Sequence, residues 1–500
     1  MNSHPHDSLP TALYSARQVR DLDARLIAAG TPGFELMQRA AHAAWRALRR
    51  RWPDAGRLTV LAGHGNNAGD GYLVAALAQR AGWNVRVLAV GDTARLAGDA
   101  ASAHAEALAA GVTLLPWHEH AELHGVLVDA LLGTGLGGAV RDPYAAAIAR
   151  INASGLPVLA IDIPSGLSAD TGQVLGCAVR ADLTVTFIGL KFGLFTGEGP
   201  DQCGELTFDN LAADPAQLPG EVQATRLAPS SLAQLAPRPK AAHKGLFGHL
   251  LLIGGDHGMG GATLLAGEAA LRSGAGLVSI ATRAAHVPAA LARCPELMTR
   301  GVSSSAEVLR AAERASVLVV GPGIGRNAWG RCLASAAASL ELPQVWDADA
   351  LNLLAEGRVQ RPAGSLVITP HPAEAARLLG RSTAEVQADR AAAARELASR
   401  YQAVAVLKGV GSLVAAPDGR LTLCSHGHPA MATAGLGDVL SGIVGALLAQ
   451  KLEPFDAACL AVWLHARAGE MLGAQGRGLA ASDLIPAVRQ LLEEFAPCLN

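Results

Sequence analysis

Aromatic residues make up only 4% of this 500-residue chain and charged residues only 17%, against 50% that are hydrophobic. So little charge over so much apolar material describes a chain that folds around cores, and its length suits roughly two to three domains. The charges nearly cancel, at −2 overall, which leaves no global field to hold nucleic acid or an anionic membrane surface. The seven cysteines include no C-x-x-C pair, which excludes a disulfide framework and a zinc knuckle and points to the reducing cytoplasm. The N-terminus lacks the basic head and apolar core of a secretory signal. The most membrane-like stretch, "VLSGIVGALLAQ" from Val439, stops at Lys451, well short of the roughly 20 residues that span a bilayer, and reads as a buried helix. Also missing are G-x-x-x-x-G-K-[ST] and H-E-x-x-H, so P-loop hydrolysis and zincin chemistry have no motif. "NAS" at Asn152 is a chance glycosylation match in a cytoplasmic chain.

What is present is alternation. From Arg57, "RLTVLAG", "GDGYLVAALAQRAG" and "NVRVLAV" read as strand, helix, strand, and further strands follow in "GVLVDALLG", "LPVLAIDIPSG" and "ADLTVTFIG". Such a pattern predicts βαβ units and a parallel sheet. It decays where five prolines fall between Pro215 and Pro239, the mark of a linker, and restarts with "GHLLLIGGDHGMGGATLLAGEAAL". The expectation is an α/β chain of two domains, residues 1–215 and 229–500, joined by a linker at 216–228. The first is Rossmann-like with three layers.

The second domain carries four polar segments at predicted strand ends. "TAGLGDVLSG" opens the long apolar helix with a glycine-rich loop, where backbone N–H groups and the positive helix end can bind phosphate. Asp438 would then stand beside a polyphosphate as a general base on an attacking hydroxyl; the alternative is an Asp that merely caps the helix. "VLKGVGSLV" brings Lys408 off a strand as a phosphate partner or a solvated strand end. "VITPHPAEAARLLG" aims His371 from a proline-stiffened turn, or uses it structurally. "VVGPGIG" is a backbone-lined turn where open α/β sheets bind ligands, or an ordinary tight turn.

Taken in order, "HKGLFGHLLLIGG", "GPGIG", "TPHPAE", "LKGVGS" and "MATAGLGDVLSG" resemble the ADP/ATP-dependent NAD(P)HX dehydratases of the ribokinase-like superfamily, a three-layer fold, from about Pro229 to the end. The resemblance implies that Asp438 is the catalytic acid-base residue, that Lys408, Gly409, Val410, Gly411, Ser412 and Gly437 contact the nucleotide, and that His371, Gly323 and Ala262 meet the hydrated nicotinamide. The chain departs from the family at Ala434 and Leu436, and at His428 where Asn is usual.

In the first domain "LAGHGNNAGDGYLVAAL" places Gly65 to Gly71 in the first βα loop, a standard phosphate position without the G-x-G-x-x-G fingerprint of a classical dehydrogenase. "VDALLGTGLGG" and "AIDIPSGLSADTG" put Asp129, Asp162 and Ser165 at two more strand ends. Asn67, Asp129 and Ser165 are hard oxygen donors suited to an alkali cation and leave Asp162 as a proton-transfer base, unless both acids are caps. The three segments in this order resemble the NAD(P)HX epimerase domain over about Leu13 to Asp209. That resemblance implies a cofactor-holding surface of Asn66, Asn67, Ala68, Gly69 and Asp70 with Gly133, Thr134, Gly135, Leu136, Gly137, Gly138 and Ala139. It also implies K⁺ on Asn67, Asp129 and Ser165, and Asp162 at the substrate, with Lys191 as a secondary candidate to polarise the ligand. The family usually has Gly where this chain has Ala68.

The two modules in one chain match the bifunctional NAD(P)H-hydrate repair family. The implied chemistry is epimerisation of R- and S-NADHX or NADPHX and a dehydration of the S form that consumes ADP (or ATP) with Mg²⁺ and gives AMP and phosphate from ADP. A homo-oligomer is the default for soluble α/β enzymes of this size. Two competitors remain at this point: a small-molecule alcohol kinase fused to a Rossmann-like binding module, and a first domain that only binds and regulates.

Overall fold

The computed structural model describes residues 5–213 and 221–499. The expected boundary after residue 215 and positions 216–220 of the expected linker lie outside the described residues. Two compact units are present, one ending at Thr225 and one beginning at Arg226.

The first unit contains β1 (Ala12–Tyr14), β2 (Arg57–Ala62), β3 (Asn84–Ala89), β4 (Thr113–Pro116), β5 (Val126–Ala130), β6 (Val158–Ile161), β7 (Leu183–Phe187), β8 (Leu190–Lys191), β9 (Glu205–Asp209) and all but the last residue of β10 (Ala224–Arg226). Its main sheet runs β4-β3-β2-β5-β6-β7-β9, parallel throughout. Alternate residues of one strand enter different cores: Leu58, Val60 and Ala62 pack with the helix Gly33–Arg51, while Leu61 packs with Ile148 and Ile151 of the helix Tyr144–Asn152. Both faces are therefore covered, which is why these strands read as continuous apolar runs. The strand order reverses between β2 and β5, the point where open α/β sheets leave a crevice at their carboxyl ends. Ala224–Arg226, inside the expected linker, is strand because Ala224 and Thr225 pair antiparallel with Leu13 and Ala12.

The second unit contains β11 (His249–Ile253), β12 (Leu277–Thr282), β13 (Met298–Gly301), β14 (Val317–Val320), β15 (Gln344–Trp346), β16 (Leu366–Ile368), β17 (Val404–Leu407), β18 (Ser412–Ala415) and β19 (Leu421–Cys424). Their order is β13-β12-β11-β14-β15-β16-β17-β18-β19, parallel except for the last two, which form a hairpin around "APDGR". This order also reverses once, between β11 and β14. Leu250, Leu252, Val317 and Val319 face the core built on the helices Leu436–Ala449 and Pro454–Gly473, and Leu251, Leu318 and Trp346 are buried on the other face. The apolar run from Val439 is thus a buried helix, as its length predicts. Among the described residues, no helix is long and apolar enough to cross a membrane. Pro5–Ser8 groups with this second unit, where buried His426 stands 3.4 Å from Asp7 and 3.2 Å from Glu470.

Candidate active sites

In the first unit β2 leads through Gly65 directly into the helix Asn66–Arg80. Asn66 to Gly71 are therefore not a loop, as the sequence suggested, but the opening turns of a helix with Gly65 as its N-cap. This rotation separates the residues. Asn66, Asn67 and Asp70 line a cavity of about 590 Å³ together with Gly133, Thr134, Gly135, Leu136 and Gly137 from the segment after β5. Ala68 is fully buried, and a Cβ on Gly69 would stand 2.5 Å from the Met37 sulfur, so these two act through packing. Gly138 and Ala139 are exposed and do not line the cavity.

Asn67, Asp129 and Ser165 do converge. The Ser165 hydroxyl donates to Asp129 Oδ1 at 2.6 Å and accepts from the Leu132 N–H at 2.8 Å, and Asn67 Nδ2 donates to the Leu132 carbonyl at 3.1 Å. Asn67 Oδ1 is buried and has no hydrogen-bond partner among the described residues. Burial pushes Asp129 up to about 6, against the hydrogen bonds from Ser165. A buried carboxylate beside an unpaired amide oxygen is the donor set a weakly hydrated cation needs, so the residues fit a potassium ion.

Asp162 follows β6 in the left-handed region, at φ 67°, a conformation that Asp tolerates better than most residues. Its Oδ1 is bonded to the Lys191 ammonium, and Thr186 Oγ1 and the Phe187 N–H approach it at 3.3 Å. Lys191 is 1% exposed and is also held by the Phe187 carbonyl at 3.0 Å. Asp129 Oδ1 also accepts from the Leu131 N–H two residues on, at 3.2 Å, as a cap of the following segment does, whereas the donors to Asp162 come from residues 186–191.

In the second unit the parallel strands deliver side chains to one edge. Lys408 leaves β17 with its ammonium 3.0 Å from Asp347 Oδ1, at the end of β15, and 3.9 Å from Glu374. A Cβ on Gly437 would lie 3.1 Å from the same ammonium, so a side chain there would press on Lys408 at the start of the helix Leu436–Ala449. Asp438 sits in the first turn of that helix. Gly435, at φ 88°, is the N-cap, and no side chain caps the helix, which removes the capping explanation for the acid. Burial pushes Asp438 up to about 7, with Asp347 and Glu374 adding to the rise and Lys408 opposing it. Burial works against the charge of Lys408, yet Asp347, Glu374 and Asp438 hold its pKa above the ordinary lysine value.

The turn Gly409–Ser412 has positive φ at Gly409 and Gly411. Arg390, almost fully buried, holds it from beneath through the carbonyls of Leu407, Lys408 and Gly411 at 3.3–3.4 Å. His371 is the N-cap of the helix Pro372–Leu379: its Nδ1 accepts from the Ala373 N–H at 3.1 Å, and Nε2 lies 3.3 Å from Glu374. Burial, with help from Lys408 and Arg377, lowers its pKa, so the ring is neutral and half exposed at the edge of the site. Gly323, at φ 61°, and Ala262 stand together at the strand-order reversal; a Cβ on Gly323 would be 3.3 Å from that of Ala262.

Asp347 and Arg390 escaped the sequence reading. "LPQVWDADA" offers the same signal as Asp129 and Asp162, an acid at the end of an apolar strand, whereas nothing local to Arg390 marks a residue that reaches another segment.

Residues 33–193 match the family model described as YjeF-related protein N-terminus, and residues 250–489 match the one described as NAD(P)H-hydrate dehydratase. The bifunctional NAD(P)H-hydrate repair enzyme Nnr of Coxiella burnetii is 46% identical over 487 residues, covering 96% of this chain and 99% of that protein. The chain belongs to the bifunctional NAD(P)H-hydrate repair enzyme family. The Escherichia coli protein of the same name is 45% identical over 92% of this chain and 89% of its own length. Among solved structures, the ADP/ATP-dependent NAD(P)H-hydrate dehydratase of Bacillus subtilis, crystallised with ATP and Mg²⁺, is 31% identical and covers 52% of this chain and 95% of its own, with a TM-score of 0.48. Because the repair-enzyme relatives match both modules over almost their full length, the alcohol-kinase reading is not favoured.

Proposed function

We propose that the chain returns hydrated nicotinamide cofactors to use in two steps, one in each unit. Hydration leaves a hydroxyl on C6 of the nicotinamide ring in R and S forms. The first unit interconverts the epimers of NADHX and NADPHX. The second dehydrates the S epimer: the terminal phosphoryl group of ADP passes to the C6 hydroxyl, and loss of phosphate restores NAD(P)H beside AMP and phosphate. Phosphorylation turns a poor leaving group into a good one.

The observation that carries this reading is Asp438, a carboxyl pushed up to about 7 at a helix N-terminus and adjacent to a charged lysine. A general base works best with a pKa near the operating pH. Asp438 takes the proton of the attacking C6 hydroxyl, while Lys408, fixed by Asp347, offers its charge to the phosphates. The N–H groups of Gly409–Ser412 and the start of the helix Leu436–Ala449 complete the nucleotide surface. His371, Gly323 and Ala262 border the nicotinamide position. Asp347 and Glu374 are the carboxylates that would hold Mg²⁺ beside the nucleotide, and the ion would supply positive charge for the transferring group.

In the first unit Asn66, Asn67, Asp70 and the segment from Gly133 to Gly137 hold the cofactor, and Asp162, oriented by Lys191, exchanges protons with the oxygen on C6. Asn67, Asp129 and Ser165 would hold potassium, which would supply positive charge to the site. We place the enzyme in the cytoplasm as a homo-oligomer, in keeping with seven cysteines that are all free thiols. The direct test is phosphate release from ADP on addition of S-NADHX. It is expected in wild type and absent in Asp438→Asn, and equal release from both would overturn the assignment.

A further inference from the structure

The cavity of the first unit holds a carboxylate that no motif singled out. Asp23 lies on the helix Ala16–Ala28 and lines the cavity with Asp70, Asp162 and Lys191. Several contacts fix that helix over the site. β1 pairs parallel with β8 so that Tyr14 sits opposite Lys191. Ser15 and Gln18 form a reciprocal capping box, and the Ala16 N–H donates to Asp170 Oδ1 at 2.6 Å, eight residues beyond Asp162. Ala16, Val19, Leu22 and Leu26 are the apolar residues the helix buries, and Arg20 and Asp23 border the cavity.

Inverting C6 requires the hydroxyl to leave one face of the ring and return to the other. Departure needs a proton donor, and return needs a base. Asp162 is met by three donors and held in one orientation, which suits one of these tasks. Asp23 comes from a different element of the cavity wall and makes no hydrogen bond or ion pair among the described residues.

We propose that Asp23 is the second acid-base residue of the epimerase site, acting with Asp162 on C6 from another side of the cavity. This rests on reading the first unit as the epimerase. In one direction the Asp23 carboxylic acid protonates the C6 hydroxyl. The C6–O bond breaks, its electron pair leaves with water, and the lone pair of the ring nitrogen forms the C=N bond. Water then adds to C6 from the other face, its proton passes to the Asp162 carboxylate, and the C=N electrons return to nitrogen. The substrate keeps its composition, and one proton has moved from Asp23 to Asp162; the reverse reaction, or exchange with solvent in the cavity, moves it back. Burial, opposed by Lys191 and reinforced by Asp162, pushes Asp23 up to about 6, so it visits both protonation states near neutrality. Asp70 lines the same cavity, and burial, with Asp162 and Asp23 adding to it, raises its pKa well above the usual carboxylate range. Arg20, His64 and Asp99 are the other titratable groups on the wall.

The experiment follows the interconversion of R- and S-NADHX by chromatography, with K⁺ and without nucleotide, on the full chain. Asp23→Asn is expected to slow it by about 10²–10⁴-fold while ADP-dependent dehydration of S-NADHX stays at the wild-type rate, and Asp23→Glu is expected to recover part of the rate with a displaced pH profile. An Asp23→Asn variant that epimerises as fast as wild type overturns the proposal. So does an Asp23→Glu variant as inactive as Asp23→Asn, which would mark Asp23 as structural. Failure of wild type itself to epimerise, with dehydration intact, sinks the reading of the first unit instead.

Discussion

Lys408 Nζ lies 3.0 Å from Asp347 Oδ1, and a Cβ on Gly437 would reach within 3.1 Å of that same ammonium. Two strand ends and a helix start are thereby tied at one point. Asp347 is 1% exposed, and removing one partner of a buried pair costs about 3–5 kcal/mol. Asp347→Asn should lose stability of that order in urea unfolding. It should also lower the midpoint of the dehydration pH profile, because Asp347 helps raise Asp438. An unmoved midpoint would mean that Asp347 does not act on Asp438.

The pH dependence of dehydration follows from Asp438 acting as a base. Only its ionised form accepts a proton, so kcat/KM should climb as pH rises to about 7 and level off above it. A flat profile would contradict this role.

The same raised pKa destabilises the fold. The folded state holds the Asp438 proton more tightly than the unfolded chain, so this contribution is intact below the usual carboxylate pKa and is lost as pH rises through about 7. Asp438→Asn escapes the loss. Its melting temperature should exceed that of wild type by a margin that widens across this window and is constant above it.

Potassium should stabilise the first unit through Asn67, Asp129 and Ser165. At a concentration 100 times Kd the gain is about 2.7 kcal/mol, visible as a potassium-specific rise in melting temperature. Asn67→Ala and Asp129→Asn should abolish the response, and Ala68→Gly, which changes a buried helical position, should keep it.

Asp438 also depends on how closely its helix packs. A Cβ at Gly442 would collide with the Ala266 carbonyl, and one at Gly445 would meet Leu250 at 2.5 Å. Gly442→Ala should cost at least about 1–3 kcal/mol, and the shifted helix should lower kcat about 100-fold, measured by chemical unfolding and dehydration kinetics on the same variant.

Much of this was readable in the residues. The buried parallel strands announced themselves as runs such as "SVLVVGPG" and "VLVDA", because a strand covered on both faces must be apolar throughout. The edge strands β4, β9 and β13 were harder to see: Met298–Gly301, for instance, is mostly exposed and carries Arg300. Asp438, Lys408, Asp162 and Ser165 stood at strand or helix ends and were legible there. The helical start at Asn66 was hidden, since two Asn residues and the glycines after them favour a turn until Leu132 and Met37 supply tertiary partners. Asp23 and Arg390 act across long sequence separations, so their surroundings in the chain gave no sign of their roles.

The most direct measurement is the ultraviolet absorbance of the restored dihydronicotinamide ring, followed on a mixture of R- and S-NADHX with Mg²⁺, K⁺ and either ADP or ATP. We expect wild type to restore the whole mixture, Asp438→Asn none of it, and Asp162→Asn to stall once the S fraction is spent. Failure of wild type to restore NADH with either nucleotide would contradict the two-site account.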